Sequence, residues 1–223
     1  MPSQTMHGSR FRGTLAAVAA VACVAILSGT ASATPFSAQL THRGLVTDQS
    51  GTAGALVPTG LFRRAGEPMF VYKSGGRTVA GVWSNGPDSA LVRSGTSESA
   101  PVIGRVVPSW DGDALRITIE PAGGKALKTD AFGRTGARPD TLSRTILTRG
   151  ELEGTFRANL RSDDSGANGW LSVRIDPEGA TRIEGDLPAG INPALAAAAA
   201  QAIDSEVDSI HQEISDVSPL RRE

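Results

Sequence analysis

The chain has 223 residues, with 22 Lys plus Arg against 23 Asp plus Glu, and a formal net charge of −1. That balance argues against a general nucleic-acid binder, which needs surplus cations to displace the counterions of phosphate. Its single cysteine, Cys23, lies in an N-terminal apolar stretch, so a disulfide framework and a cysteine-based metal site or nucleophile are excluded from the rest of the chain.

Residues 1–14 carry Arg10 and Arg12 and no acid; residues 15–27 (LAAVAAVACVAIL) are continuously apolar; small and polar residues follow, ending at Ala33. A basic start, a short apolar centre and a small-x-small ending are the three parts of a secretory signal peptide. Ala31 and Ala33 suit a signal peptidase, which predicts cleavage between Ala33 and Thr34. As a helix the apolar run spans about 20 Å, short of a ~30 Å hydrocarbon core, so no transmembrane anchor is expected after processing. A minor variant of the same signal is a lipoprotein anchored at Cys23. It lacks the usual large aliphatic residue three positions before the cysteine, and the apolar run continues past it. Removing residues 1–33 removes two bases and no acid and leaves a mature charge of −3.

Residues 34–190 read as a β domain. Met69–Tyr72, Thr78–Trp83, Ala90–Val92 and Val102–Val107 are short β-prone runs separated by turn clusters such as Ser74-Gly75-Gly76 and Asn85-Gly86. Leu115, Ile117 and Ile119 alternate with Arg116, Thr118 and Glu120, the period of a strand with one buried and one wet face. Phe156, Ala158 and Leu160, then Leu171, Val173 and Ile175, then Thr181–Glu184 repeat the pattern and predict a three-stranded meander. Residues 121–142 have few large apolar side chains and no period, and read as a long loop or a subdivision of the β domain.

Asn192-Pro193 then supplies an N-cap and a first-turn proline. The glycine-free segment ALAAAAAQAIDSEVDSIHQEISD follows, and predicts a helix over 191–216 with a tail at 217–223. Ala196, Ala200, Ile203, Val207, Ile210 and Ile214 form one stripe, with Asp204, Glu206, Asp208, Gln212 and Glu213 facing elsewhere. The stripe is expected to dock onto the β domain, or to join copies through Ile203, Val207, Ile210 and Ile214. The fold class is therefore mainly β: an antiparallel meander forming a sandwich or barrel, plus one C-terminal amphipathic α-helix.

Chemistry is sparse. His7, His42 and His211 are the only histidines, none with a metal-ligand partner at helical spacing. His42 is the one candidate catalytic base, joined to dispersed carboxylates. Asp163, Asp164 and Asn168 share a glycine-containing loop and offer oxygen ligands for calcium, although the EF-hand spacing is missing. Trp83 and Trp110 flank predicted turns, where rings stack on sugars or on partner side chains. Arg63-Arg64, with Lys125, Lys128, Arg134 and Arg138, offers basic loop groups to an anionic surface.

The leading functional reading is an exported, non-catalytic β protein that binds a protein or glycan partner, or assembles, in the cell envelope or outside the cell. The second is a secreted hydrolase using His42. The third is a self-assembling surface subunit, a homo-oligomer joined through the C-terminal helix. No cofactor is expected and no nucleic-acid partner.

Overall fold

The computed structural model describes residues 33–217 except residues 42, 61–63, 87, 137–139, 145–152, 163–164 and 178; the side chains at 165–168, 180–181, 210–211 and 213–217 also lie outside the described set. The strands are β1 (Thr34–Thr41), β2 (Gly44–Gln49), β3 (Thr52–Pro58), β4 (Phe70–Ser74), β5 (Arg77–Ser84), β6 (Ala90–Arg93), β7 (Val102–Asp111), β8 (Ala114–Pro121), β9 (Leu127–Thr129), β10 (Gly133–Arg134), β11 (Gly154–Ser162), β12 (Ser165–Asp176) and β13 (Gly179–Leu187). One helix, α1 (Pro193–Val217), follows.

Each strand pairs antiparallel with its neighbour in sequence from β1 to β9, and β11, β12, β13 and β1 continue the order. Pairing of β9 with β11, through Leu160 and Thr129, joins the two ends. The result is a closed 12-stranded antiparallel barrel, with the two-residue β10 as an extra strand on β11. Closure removes the free edges that an open sheet of this size would expose. Between the two alternatives read from the sequence, the structure is the barrel. The Gly75-Gly76 turn shows how the hairpins are made: both glycines have positive φ, 54° and 77°, as a two-residue primed turn requires.

The segment 121–142 does not divide the β domain. It contains β9 and β10, and it folds two large apolar side chains, Phe132 and Leu142, into the core. The Leu142 amide donates to the Phe132 carbonyl, and the Leu115 amide to that of Leu142. The described residues, 33–217, belong to one compact unit.

Strand alternation sorts side chains by face. Leu115, Ile117 and Ile119, Phe156, Ala158 and Leu160, and Leu171, Val173 and Ile175 all point into the barrel and are buried. Arg105, Arg116, Arg161, Arg174 and Arg182 point out, where they meet Glu120, Asp111, Asp130, Asp176 and Glu184. This polarity is the inverse of a lipid-facing barrel, whose apolar band points outward. Among the described residues no helix is long and apolar enough to cross a membrane.

The helix is not docked on the outside. It contacts β13, β1, β2 and β3 on one side and β6, β7 and β8 on the other, so it runs through the lumen. Asn192 starts it as expected: its Oδ1 accepts from the Ala194 amide at 2.9 Å, and its carbonyl accepts from Leu195 at 2.9 Å and Ala196 at 3.1 Å. Near this end Leu195 lies against Gly104 of β7, and further on Glu206 meets Trp110 of the same strand. Eleven helical residues rise about 16 Å and six strand residues about 20 Å, so helix and wall run alongside each other.

Candidate functional site

In larger barrels the lumen is where ligands sit. Here it is filled by the chain's own helix. Ala194, Leu195, Ala196, Ala197, Ala198, Ala199 and Ala200 are seven consecutive residues, none more than 2% exposed. Two full turns buried on every side require a wall on every side. Alanine makes this feasible, since a helix sheathed in methyl groups is thin enough to enter a lumen already lined by Leu, Ile and Val. Gly104 gives further room: a Cβ there would lie 2.5 Å from the Glu120 carbonyl and 3.0 Å from Leu195 Cδ2. At the start of the helix Gln49 Nε2 donates to the Ile191 carbonyl at 3.0 Å, tying the entering chain to β2.

The stripe expected to join copies is corrected by this arrangement. Ile203 and Val207 are buried inside the barrel of the same chain and cannot be offered to a second copy. The side chains of Ile210 and Ile214 lie outside the described residues.

Asp204, expected on the polar side of the helix, is also buried, at 3% exposure. Its Oδ2 accepts from Gln201 Nε2 at 3.2 Å, while its Oδ1 has no partner. Burial, reinforced by the Asp208 carboxylate one turn further along, pushes its pKa from 3.8 up to about 7, against the Gln201 hydrogen bond, which lowers it. A second polar contact in the interior joins the Thr47 and Tyr72 hydroxyls at 3.2 Å, with the phenol lying over Gly54.

The tryptophans are held by the chain itself. Trp83 is 8% exposed, with its Nε1 donating to the Gly66 carbonyl at 3.2 Å and Arg93 over its ring. Trp110 Nε1 donates to Glu206 Oε2 at 2.7 Å, and Arg144 lies 4.9 Å from its ring centre. Both rings thus anchor structure, Trp83 beneath the 64–67 loop and Trp110 at the helix. His42, Asp163 and Asp164 lie outside the described residues, as does the side chain of Asn168; Cys23 lies outside them as well. Ala33 is exposed, and Thr34 is the first residue of β1, paired with Leu187. Among the described residues no cluster of three or more His, Cys, Asp and Glu has the arrangement to hold a metal.

No family model, curated protein or solved structure matches this chain.

Three concave features among the described residues lie on the outer face. One, about 440 Å³, lies between the 64–67 loop and Glu98. A second, about 390 Å³, lies over β7 and β8 around the Arg105–Glu120 ion pair. A third, about 170 Å³ and more enclosed than these two, lies on β11–β13 between Thr155, Ser172, Arg174, Arg182 and Glu184. The amino-acid pattern places these last residues on strands but does not group them as a site. Arg174 and Arg182 occupy outward positions of two predicted strands, and a register shift between Arg174 and Ile175 sets them opposite one another.

Proposed function

We propose that this is an exported, non-catalytic barrel that works by recognition on its outer face, in the cell envelope or outside the cell. The observation that carries the reading is the run Ala194–Ala200, buried on all sides in the lumen. A lumen occupied by covalently attached helix is withdrawn from ligand binding, so recognition is left to the strands' outward side chains and the loops. The leader supports export: the expected cut after Ala33 falls at an exposed residue directly before the first strand.

The test has two arms. Mass spectrometry of native protein from fractionated cells is expected to find a chain beginning at Thr34, outside the cytosol. The mature chain is expected to retain isolated envelope polymer or protein when immobilised, and substitutions of outer-face residues to abolish that retention. A chain still beginning at Met1 in the cytosol overturns export. A small molecule retained in the lumen by native mass spectrometry overturns recognition at the outer face.

A further inference from the structure

The 170 Å³ depression on β11–β13 carries an inference about the kind of group this face recognises. Arg174 of β12 and Arg182 of β13 are direct cross-strand partners. Like charges directly opposite one another on one face are destabilising in an antiparallel pair, and here they sit beside a concavity. Each is steered by a carboxylate two residues further along its own strand, on the same face. Arg174 Nε donates to Asp176 Oδ1 at 3.1 Å, and Arg182 Nε to Glu184 Oε1 at 2.6 Å. Both side chains stay more than half exposed.

Thr155 and Ser172 complete the lining, placing two hydroxyl-bearing residues beside the two guanidinium groups. Register explains the grouping: Thr155 pairs with Arg174, and Ser172 with Glu184, so the five residues form one block of adjacent positions on three strands. Arg157, the partner of Ser172 on β11, stands at the margin with its guanidinium 4.1 Å from the Trp170 ring centre.

We infer that this block is a binding site for a tetrahedral oxyanion ester carrying one negative charge, a sulfate ester or a phosphodiester. Three features converge. Guanidinium groups are planar forks that suit sulfate and phosphate oxygens, and hydroxyls donate to the same oxygens. Arg157, Arg174 and Arg182 share this face with two carboxylates, Asp176 and Glu184, so the block carries one surplus positive charge and complements a single negative charge. The volume suits one headgroup and falls short of the ~300–1,000 Å³ of pockets that enclose a whole small molecule. The ester therefore belongs to a larger molecule that stays outside. The inference deepens the outer-face reading above and rests on it.

The test is a titration of the mature chain with methyl sulfate and with dimethyl phosphate, followed by NMR at the Thr155 and Ser172 amides and the arginine Nε–H groups. Saturable shifts confined to this block are expected with both ions, and weaker ones with acetate, which one guanidinium fork can hold but which offers two oxygens where the esters offer four. Arg182→Gln is expected to weaken binding about tenfold, the loss of one charge-assisted contact. Glu184→Gln is expected to tighten it, because the competing carboxylate is gone; a purely structural ion pair would not respond in that direction. Thermal unfolding of both variants verifies that they fold. Absence of saturable shifts, equal binding of acetate, or unchanged affinity in Arg182→Gln overturns the inference. Competition with methyl sulfate by a sulfated disaccharide or by phosphatidylglycerol vesicles separates a glycan source from a lipid source, and competition by neither overturns the ester reading. These titrations need neither export nor a partner, so a negative result with export established refutes the site and leaves the outer-face reading standing.

Discussion

Replacing each of Ala194, Ala196, Ala197, Ala198, Ala199 and Ala200 singly by leucine tests whether the helix is inside the barrel or merely against it. Each alanine is at most 2% exposed. Leucine adds three carbon atoms where the surrounding wall is already closed, and overpacking of this kind costs about 1–3 kcal/mol, occasionally more. On a helix docked by one stripe the outcome differs. Positions on the open side would tolerate leucine within a few tenths of a kcal/mol, since leucine is nearly as good a helix former as alanine. Six positions over two turns sample every direction around the axis, so threading predicts that all six variants lose stability. Thermal unfolding of the mature chain reads this out, with Tm falling about 2–4 °C for each kcal/mol in a protein of this size. A periodic result, with substitutions neutral every third or fourth position, refutes the filled lumen and with it the argument that recognition is confined to the outer face.

Three further outcomes follow from the same geometry. Asp204 is held protonated by burial, so the native state binds one more proton than the unfolded chain between pH 4 and its raised pKa of about 7. Stability should therefore fall as pH rises through that window and level off above it, by at most about 4 kcal/mol; Asp204→Asn should flatten the fall and be the more stable protein at pH 8. Equal slopes for the two proteins in urea unfolding across pH 4–8 would show that the carboxyl is solvated. Gly104→Ala places a methyl group 2.5 Å from the Glu120 carbonyl and 3.0 Å from Leu195, and should cost about 1–3 kcal/mol in denaturant unfolding; an unperturbed midpoint would refute the close approach of helix and wall. Ending the chain at Gly190 removes the lumen's filling and leaves an apolar cavity lined by strand residues. The truncated chain should bind a hydrophobic dye and lose cooperative unfolding, and a monomeric, cooperatively unfolding barrel would show that the helix is dispensable.

Much of the wall was legible in the sequence, because a strand reports its faces locally. The alternations at Leu115–Ile119, Phe156–Leu160 and Leu171–Ile175 each gave inward residues correctly, and Asn192-Pro193 marked the first turn of the helix. The ring closure was not legible. It depends on the three residues Leu127–Thr129, too few to show a period, in a segment that otherwise reads as loop. The paired arginines were half legible: their outward phase follows from alternation, but their opposition follows from the register of β12 against β13.

The helix divides the two kinds of information most clearly. Composition alone determined that residues after Asn192 would be helical, and periodicity drew a stripe through Ile203 and Val207 that is indeed buried. Periodicity extends that stripe to Ala196 and Ala200 but cannot set them apart from the rest of Ala194–Ala200, where every position is apolar. A helix apolar on all sides is one surrounded by protein, yet which protein surrounds it is not a local property. Only the closed sheet decided that, by providing a cavity of the right width along the same axis. The same step buried Asp204, which the chain places among polar neighbours and which the barrel encloses with one oxygen unpaired.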